Sequence, residues 1–200
     1  MADGPLNSKT SHLTSRAPER SDIVNLCREL NEQGARYLII GGFAIIAAGY
    51  ARTTADVDLL IDAALDNEAK VFKALETLPD KCVKELKPGE VSEYRVVRVA
   101  DEILIDLMAT ASGIEYAEAS KSMVIHELDG VAIPFASPEL LWRMKARTYR
   151  EKDRGDLQFL RMWFEAQDRS PPVLESNLLD ETSAAAFRPQ SGGDNGADLG

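Results

Sequence analysis

The stretch Tyr37-Leu38-Ile39-Ile40-Gly41-Gly42, followed after thirteen residues by Asp56-Val57-Asp58-Leu59-Leu60-Ile61, decides how this chain is read. Each half carries an apolar run of strand length. Successive side chains of a strand point to opposite faces, so Asp56 and Asp58 share one face while Val57, Leu59 and Ile61 can face a core. A third carboxylate, Asp106, sits in Glu102-Ile103-Leu104-Ile105-Asp106-Leu107-Met108, whose apolar neighbours mark another buried strand. If these strands pair, the three carboxylates converge. Strands lie about 4.8 Å apart, so the charges would repel strongly unless a cation neutralised them, and an all-oxygen donor set suits Mg²⁺.

Gly41-Gly42 falls where the strand ends and Phe43-Ala44-Ile45-Ile46-Ala47-Ala48 can begin a helix. Backbone N–H groups at such a junction can hold an anion, and phosphate beside Mg²⁺ points to a nucleotide. Alone, a diglycine suits any turn, and an Asp-x-Asp can be two solvent-facing residues at a strand end. For Asp62 and Asp101 that solvent-facing alternative is preferred. The order strand, diglycine, helix, Asp-x-Asp strand and later strand carboxylate is far more specific than any part.

With those motifs in place, the chain resembles the DNA polymerase beta-like nucleotidyltransferase superfamily. Ile40-Gly41-Gly42 and Asp56-Val57-Asp58 match its signature of a hydrophobic residue, Gly-Gly or Gly-Ser, a spacer, and Asp-x-Asp or Asp-x-Glu. The wording Arg52-Thr53-Thr54-Ala55-Asp56-Val57-Asp58-Leu59-Leu60-Ile61 is especially similar to small bacterial members, including the AbiEii-type toxin nucleotidyltransferases. Asp106 matches the third family carboxylate, and Lys145, Arg150, Lys152, Asp153 and Asp156 resemble the later basic motifs. The resemblance covers roughly residues 21–167. It implies two Mg²⁺ ions held by Asp56, Asp58 and Asp106, with Asp106 on the acceptor side. An NTP would be bound beside Gly41 and Gly42, with Arg52 and Lys145 contacting phosphate and Lys152 behind them. The reaction implied is transfer of a nucleoside monophosphate to an acceptor hydroxyl of tRNA or other RNA, a protein or a small molecule, with release of pyrophosphate. A toxin–antitoxin or phage-defence role, with an antitoxin protein as partner, comes with the same likeness. The alternative from another class is a non-catalytic module that binds nucleotide or a partner on the same fold.

Two hundred residues, 44% of them hydrophobic, are ample for one core. A net charge of -10 argues against a broad grip on duplex nucleic acid, which runs on Lys and Arg neutralising phosphates. The local exception is Arg143 to Arg161, where Lys145, Arg147, Arg150, Lys152 and Arg154 concentrate basic charge. No charged segment precedes an apolar signal stretch, and the charge-free run Tyr37 to Ala51 is too short to span a bilayer and is broken by the diglycine, so a cytoplasmic protein without membrane contact is expected. The two cysteines, Cys27 and Cys82, have no zinc-ligand spacing, and Cys27 falls on the apolar side of a helix.

The fold expected is α+β (α/β-like): a nucleotidyltransferase fold with a mixed β-sheet flanked by helices and a short C-terminal helical segment. Residues 1–20 and 168–200 read as disordered tails around a domain over 21–167. Within it, Ser21 can cap a helix carrying Ile23, Leu26, Cys27 and Leu30, which ends at Gly34. Strands are expected at residues 36–41, 56–62, 94–99, 102–108, 123–128 and 131–135, and helices at 42–50, 67–78, after Ser137-Pro138-Glu139, and over 152–166. Trp142 and Trp163 read as helix-packing anchors.

Overall fold

The computed structural model describes residues 15–148 and 150–173. In chain order it comprises α1 (Arg20–Glu32), β1 (Tyr37–Ile40), α2 (Gly41–Ala47), β2 (Asp56–Ile61), α3 (Leu65–Leu75), the one-turn α4 (Glu90–Glu93), β3 (Val97–Ala100) and β4 (Leu104–Met108). There follow β5 (Thr110–Ala111), β6 (Ile114–Glu115), the one-turn α5 (Tyr116–Ala119), β7 (Met123–Leu128), β8 (Val131–Ala136), α6 (Pro138–Ala146) and α7 (Arg154–Glu165). Six strands form one mixed sheet in the order β3-β4-β2-β1-β8-β7, and β5 and β6 make a separate small hairpin. The pairs β1–β8 and β2–β4 are parallel, while β1–β2, β3–β4 and β7–β8 are antiparallel. The mixed sheet flanked by helices is the architecture expected from the sequence.

Burial explains why these segments pair where they do. All four residues of β1 are buried, as are Val57, Leu59, Leu60 and Ile61 of β2, so the centre of the sheet is covered on both faces. Helix α1 contributes the stripe Ile23, Val24, Leu26, Cys27 and Leu30 and packs on α3 and β8; α2 packs on β1, β2 and α6. Each fully buried Leu or Ile is worth about 1.5–3 kcal/mol, which makes this stripe the main support of the helix. Burial also pushes the Cys27 thiol up to about 12, so it remains protonated and inert, as a packing residue should.

Several boundaries differ from the sequence reading for physical reasons. Helix α1 is opened by a capping box in which the Glu19 side chain accepts from the backbone N–H of Asp22 and Asp22 accepts from the N–H of Glu19, rather than by Ser21. Residues 15–20, read as part of the tail, are docked: Arg16 pairs in parallel with Ile103, and its guanidinium bonds Asp22 and Glu102. At the other end Trp142 Nε1 donates to Pro172 O at 3.1 Å and Arg169 pairs with Glu139, so ordered chain extends past residue 167. The remaining parts of both expected tails, 1–14 and 174–200, lie outside the described residues. Asp101 is buried, not solvent-facing: its oxygens accept the backbone N–H groups of Asp80, Cys82 and Glu102 at 3.0, 3.0 and 2.8 Å. Burial pushes that carboxyl up, but the three N–H groups hold it below the usual range. Among the described residues, no helix is long and apolar enough to cross a membrane.

Candidate active site

Strand register brings the carboxylates together. Asp58 of β2 lies directly opposite Asp106 of the parallel strand β4, and Asp56 is two residues back on the same face. On the other side of β4, Arg98 of the antiparallel strand β3 lies directly opposite Asp106. A cleft of about 370 Å³ opens over this face. The three carboxylates line it together with Gly41, Gly42, Arg52 and Thr54, and Lys145, Thr148, Arg150 and Lys152 contribute further lining from the segment around α6 and the start of α7.

The local sequence explains the shape of the floor. Gly41 has φ +61°, and a side chain there would overlap the Asp58 carboxylate, so only glycine lets β1 turn into α2 beside that acid. A side chain at Gly42 would strike Thr54. The diglycine expected to approach phosphate therefore has a first duty within the protein: it makes room for Asp58 and for the loop before β2. Thr54 in turn donates its hydroxyl to Asp56 at 3.3 Å.

Electrostatically, Asp58 is the strained member. Burial pushes its carboxyl up to about 6, the charges of Asp56 and Asp106 add to the rise, and Lys145 and the backbone of Gly42 oppose it only partly. Asp106 is buried and fully engaged: Arg98 Nε and Nη2 reach its two oxygens at 2.7 Å each, a bidentate fork. The same guanidinium lies 3.6 Å from Asp56. Among the described residues no three His, Cys, Asp or Glu side chains form a ready metal-holding group. Both oxygens of Asp106 are turned to Arg98, although its strand position is the one expected. The donors nevertheless suit a hard divalent cation, since all are carboxylates and a guanidinium already supplies positive charge between two of them.

The basic residues expected here divide into two sorts. Lys145 is buried and bridges Asp153 at 2.7 Å and Asp156 at 2.8 Å, while Arg52 Nη1 reaches both oxygens of Asp156 at 2.8 and 2.6 Å and Arg150 bonds Asp153 at 2.8 Å. Asp153 and Asp156, whose part the sequence left open, thus anchor the cations of the cleft wall. Burial pushes Asp153 up, but Lys145 and Arg150 bring its carboxyl below the usual range. Lys152 lines the cleft and, among the described residues, has no carboxylate partner; the same holds for Arg95 beside β3. Sequence reasoning missed Arg95 and Arg98. The alternating run Val97-Arg98-Val99 marks Arg98 as lying on the polar face of a strand, but does not say which residue it opposes.

A family model described as a nucleotidyl transferase of unknown function (DUF2204) matches residues 19–183. The chain belongs to that family. Its match takes in every strand of the main sheet and all the carboxylates of the cleft. No match emerges among curated proteins. Solved structures with some likeness include an antigenic nucleotidyltransferase-like protein from Paracoccidioides brasiliensis, at 15% identity over 72% of this chain and 75% of that one, with a TM-score of 0.49. A putative nucleotidyltransferase from Thermotoga maritima has 14% identity over 75% and 97%, with a TM-score of 0.40. The antibiotic-resistance factor ANT(2'')-Ia has 17% identity over 72% and 89%, with a TM-score of 0.42. Membership in the nucleotidyl transferase family rests on the family model.

Proposed function

We propose that the cleft is the active site of a metal-dependent nucleotidyltransferase, moving a nucleoside monophosphate from an NTP to an acceptor hydroxyl and releasing pyrophosphate. The observation that carries this reading is the direct opposition of Asp58 and Asp106 on parallel strands, with Asp56 on the same face, at the floor of an open cleft and short of compensating charge. Structural carboxylates are normally neutralised by partners; among the described residues Asp58 has no ion-pair partner, and Lys145 and the Gly42 backbone offset its neighbours' charge only in part. Asp56, Asp58 and Asp106 would hold Mg²⁺, two ions in the full complement. Bound there, the cation supplies Lewis-acid polarisation of the phosphate and a lowered pKa for the acceptor hydroxyl.

The chain's own residues do the rest. Gly41 and Gly42 leave the room that Asp58 and Thr54 occupy, which lets the Asp58 carboxylate stand on the cleft floor where a cation would meet the phosphates. Lys152 and Arg150 stand on the cleft wall for the triphosphate, and Lys145 and Arg52, already fixed by Asp153 and Asp156, give that wall a rigid positive base. The acceptor oxygen forms its bond to the α-phosphorus as the bond to the β-phosphate bridge oxygen breaks, pyrophosphate leaves with that electron pair, and the acceptor proton passes to Asp106.

Purified wild type and Asp56→Ala/Asp58→Ala would be incubated with each α-labelled NTP, Mg²⁺, total RNA and protein extract. Label transfer to one acceptor class by wild type alone supports the reading. Equal transfer by both proteins sinks it. An AbiEii-type toxin role is the finer form of this reading, and induced expression that leaves growth unaffected would remove it. The Arg98 fork favours one second reading, a nucleotide-binding module without turnover, because Asp106 is neutralised without metal. Mg²⁺-independent nucleotide affinity with no label transfer would establish that instead.

A further inference from the structure

We propose that Arg98 is a built-in counter-ion that keeps divalent metal out of the resting site and withdraws when nucleotide arrives, so that metal and nucleotide load together. This rests on the metal-dependent reading above. The guanidinium lies where a cation would act: it forks onto both oxygens of Asp106 at 2.7 Å and reaches Asp56 at 3.6 Å, touching two of the three carboxylates across two strands. With an N–H of Arg98 on each Asp106 oxygen, a cation must compete with that fork for the carboxylate, and no ready ligand cluster is present among the described residues.

The same contact suits a movable part better than a fixed one. The Asp106 side chain is only 9% exposed, whereas that of Arg98 is 54% exposed and projects from β3, an edge strand of the sheet. Rotation about its aliphatic stem carries the guanidinium away without disturbing Val97 or Val99, whose buried side chains point to the opposite face. The pocket-lining neighbours Arg95 and Val96 are exposed as well. Arg98 itself lines the cleft, so a withdrawn guanidinium faces the space a triphosphate would fill and exchanges one oxyanion partner for another. In the absence of nucleotide no such partner is at hand, and metal must compete with the fork.

Metal affinity without nucleotide is then reduced by the fraction of molecules in which Arg98 has left Asp106. The test is titration of the full-length protein with Mn²⁺ alone, by calorimetry and by the electron paramagnetic resonance signal of free Mn²⁺, for wild type, R98A, R98Q, R98K and D58N. Circular dichroism melts establish which variants are folded. The expected result is that R98A or R98Q binds Mn²⁺ on the order of tenfold more tightly than wild type. R98K, which keeps the charge but not the fork, should fall between them. Adding ATP should tighten Mn²⁺ binding much more in wild type than in R98A. If folded R98A and R98Q bind Mn²⁺ no better than wild type while D58N loses it, the counter-ion role is refuted and the metal site stands. If no variant binds Mn²⁺ with or without ATP, both fall.

Discussion

Two groups of carboxylates face one cleft and are treated in opposite ways. Asp153 and Asp156, at the start of α7, are each about as buried as any side chain in the core, and each is held by two cations: Lys145 and Arg150 for the first, Lys145 and Arg52 for the second. Among the described residues, Asp56 and Asp106 on β2 and β4 have one ion-pair partner between them, the guanidinium of Arg98, and Asp58 is left to its neighbours' repulsion. A paired set fixes architecture. An under-compensated set stores electrostatic energy that a bound cation can release, and this is how a binding site for positive charge differs from a structural ion network. Lys145 sits at the seam, bonded to the paired acids and lowering the rise in Asp58.

The sharpest way to break the comparison is to remove that seam. Lys145→Ala leaves both Asp153 and Asp156 short of a partner in a buried setting and should destabilise the fold by about 3–5 kcal/mol, read from the urea midpoint. A loss under 1 kcal/mol would mean that Arg52 and Arg150 suffice and that the network is not the support described here.

Next in size is the opposite response of the strand set. Asp58 has a folded pKa of about 6, above the ordinary carboxylate value of about 4, so the folded protein holds a proton there that the unfolded chain releases. Stability without metal should therefore fall as pH rises from 4 through 6. Asp58→Asn removes that charge and should stabilise the metal-free protein by about 1–3 kcal/mol at pH 8, with the gain vanishing at pH 4. Asp153, whose folded pKa is depressed, works the other way: its contribution is present above the ordinary carboxylate range and is lost as acid carries the pH below it. Melts across pH 3–8 for wild type and both Asp→Asn variants would show these slopes, and parallel curves would contradict the contrast. Smaller still is Gly41→Ala, where φ +61° and the Asp58 carboxylate oppose a methyl group. A loss of about 1–2 kcal/mol is expected, with nucleotide transfer falling further than stability because Asp58 is displaced.

The strand acids were legible in the sequence because alternation and apolar runs place Asp56, Asp58 and Asp106 on strands without any knowledge of partners. Arg98 was not, because its position opposite Asp106 depends on where the β3–β4 hairpin turns. That turn spans 101–103 and is clamped by the buried Asp101, which local pattern assigns to solvent. Asp153 and Asp156 were ambiguous for a similar reason: their spacing suits an exposed helix face and a buried one equally, and only the docking of α6 and of the loop carrying Arg52 against α7 decides it. The diglycine was found but its first duty was not, since the space it leaves is filled by Asp58 from a neighbouring strand. The β5–β6 hairpin escaped because strands of two residues carry no periodicity.

The most direct measurement is the melting temperature of wild type and Asp58→Asn at pH 7.5 with Mg²⁺ alone, each of the four NTPs alone, and the two together. Mg²⁺ with the preferred NTP should raise the wild-type midpoint by on the order of 5–10 °C at saturating ligand and leave Asp58→Asn almost unmoved. An equal rise in Asp58→Asn, or a wild-type rise that needs no Mg²⁺, would contradict a site built on the strand carboxylates.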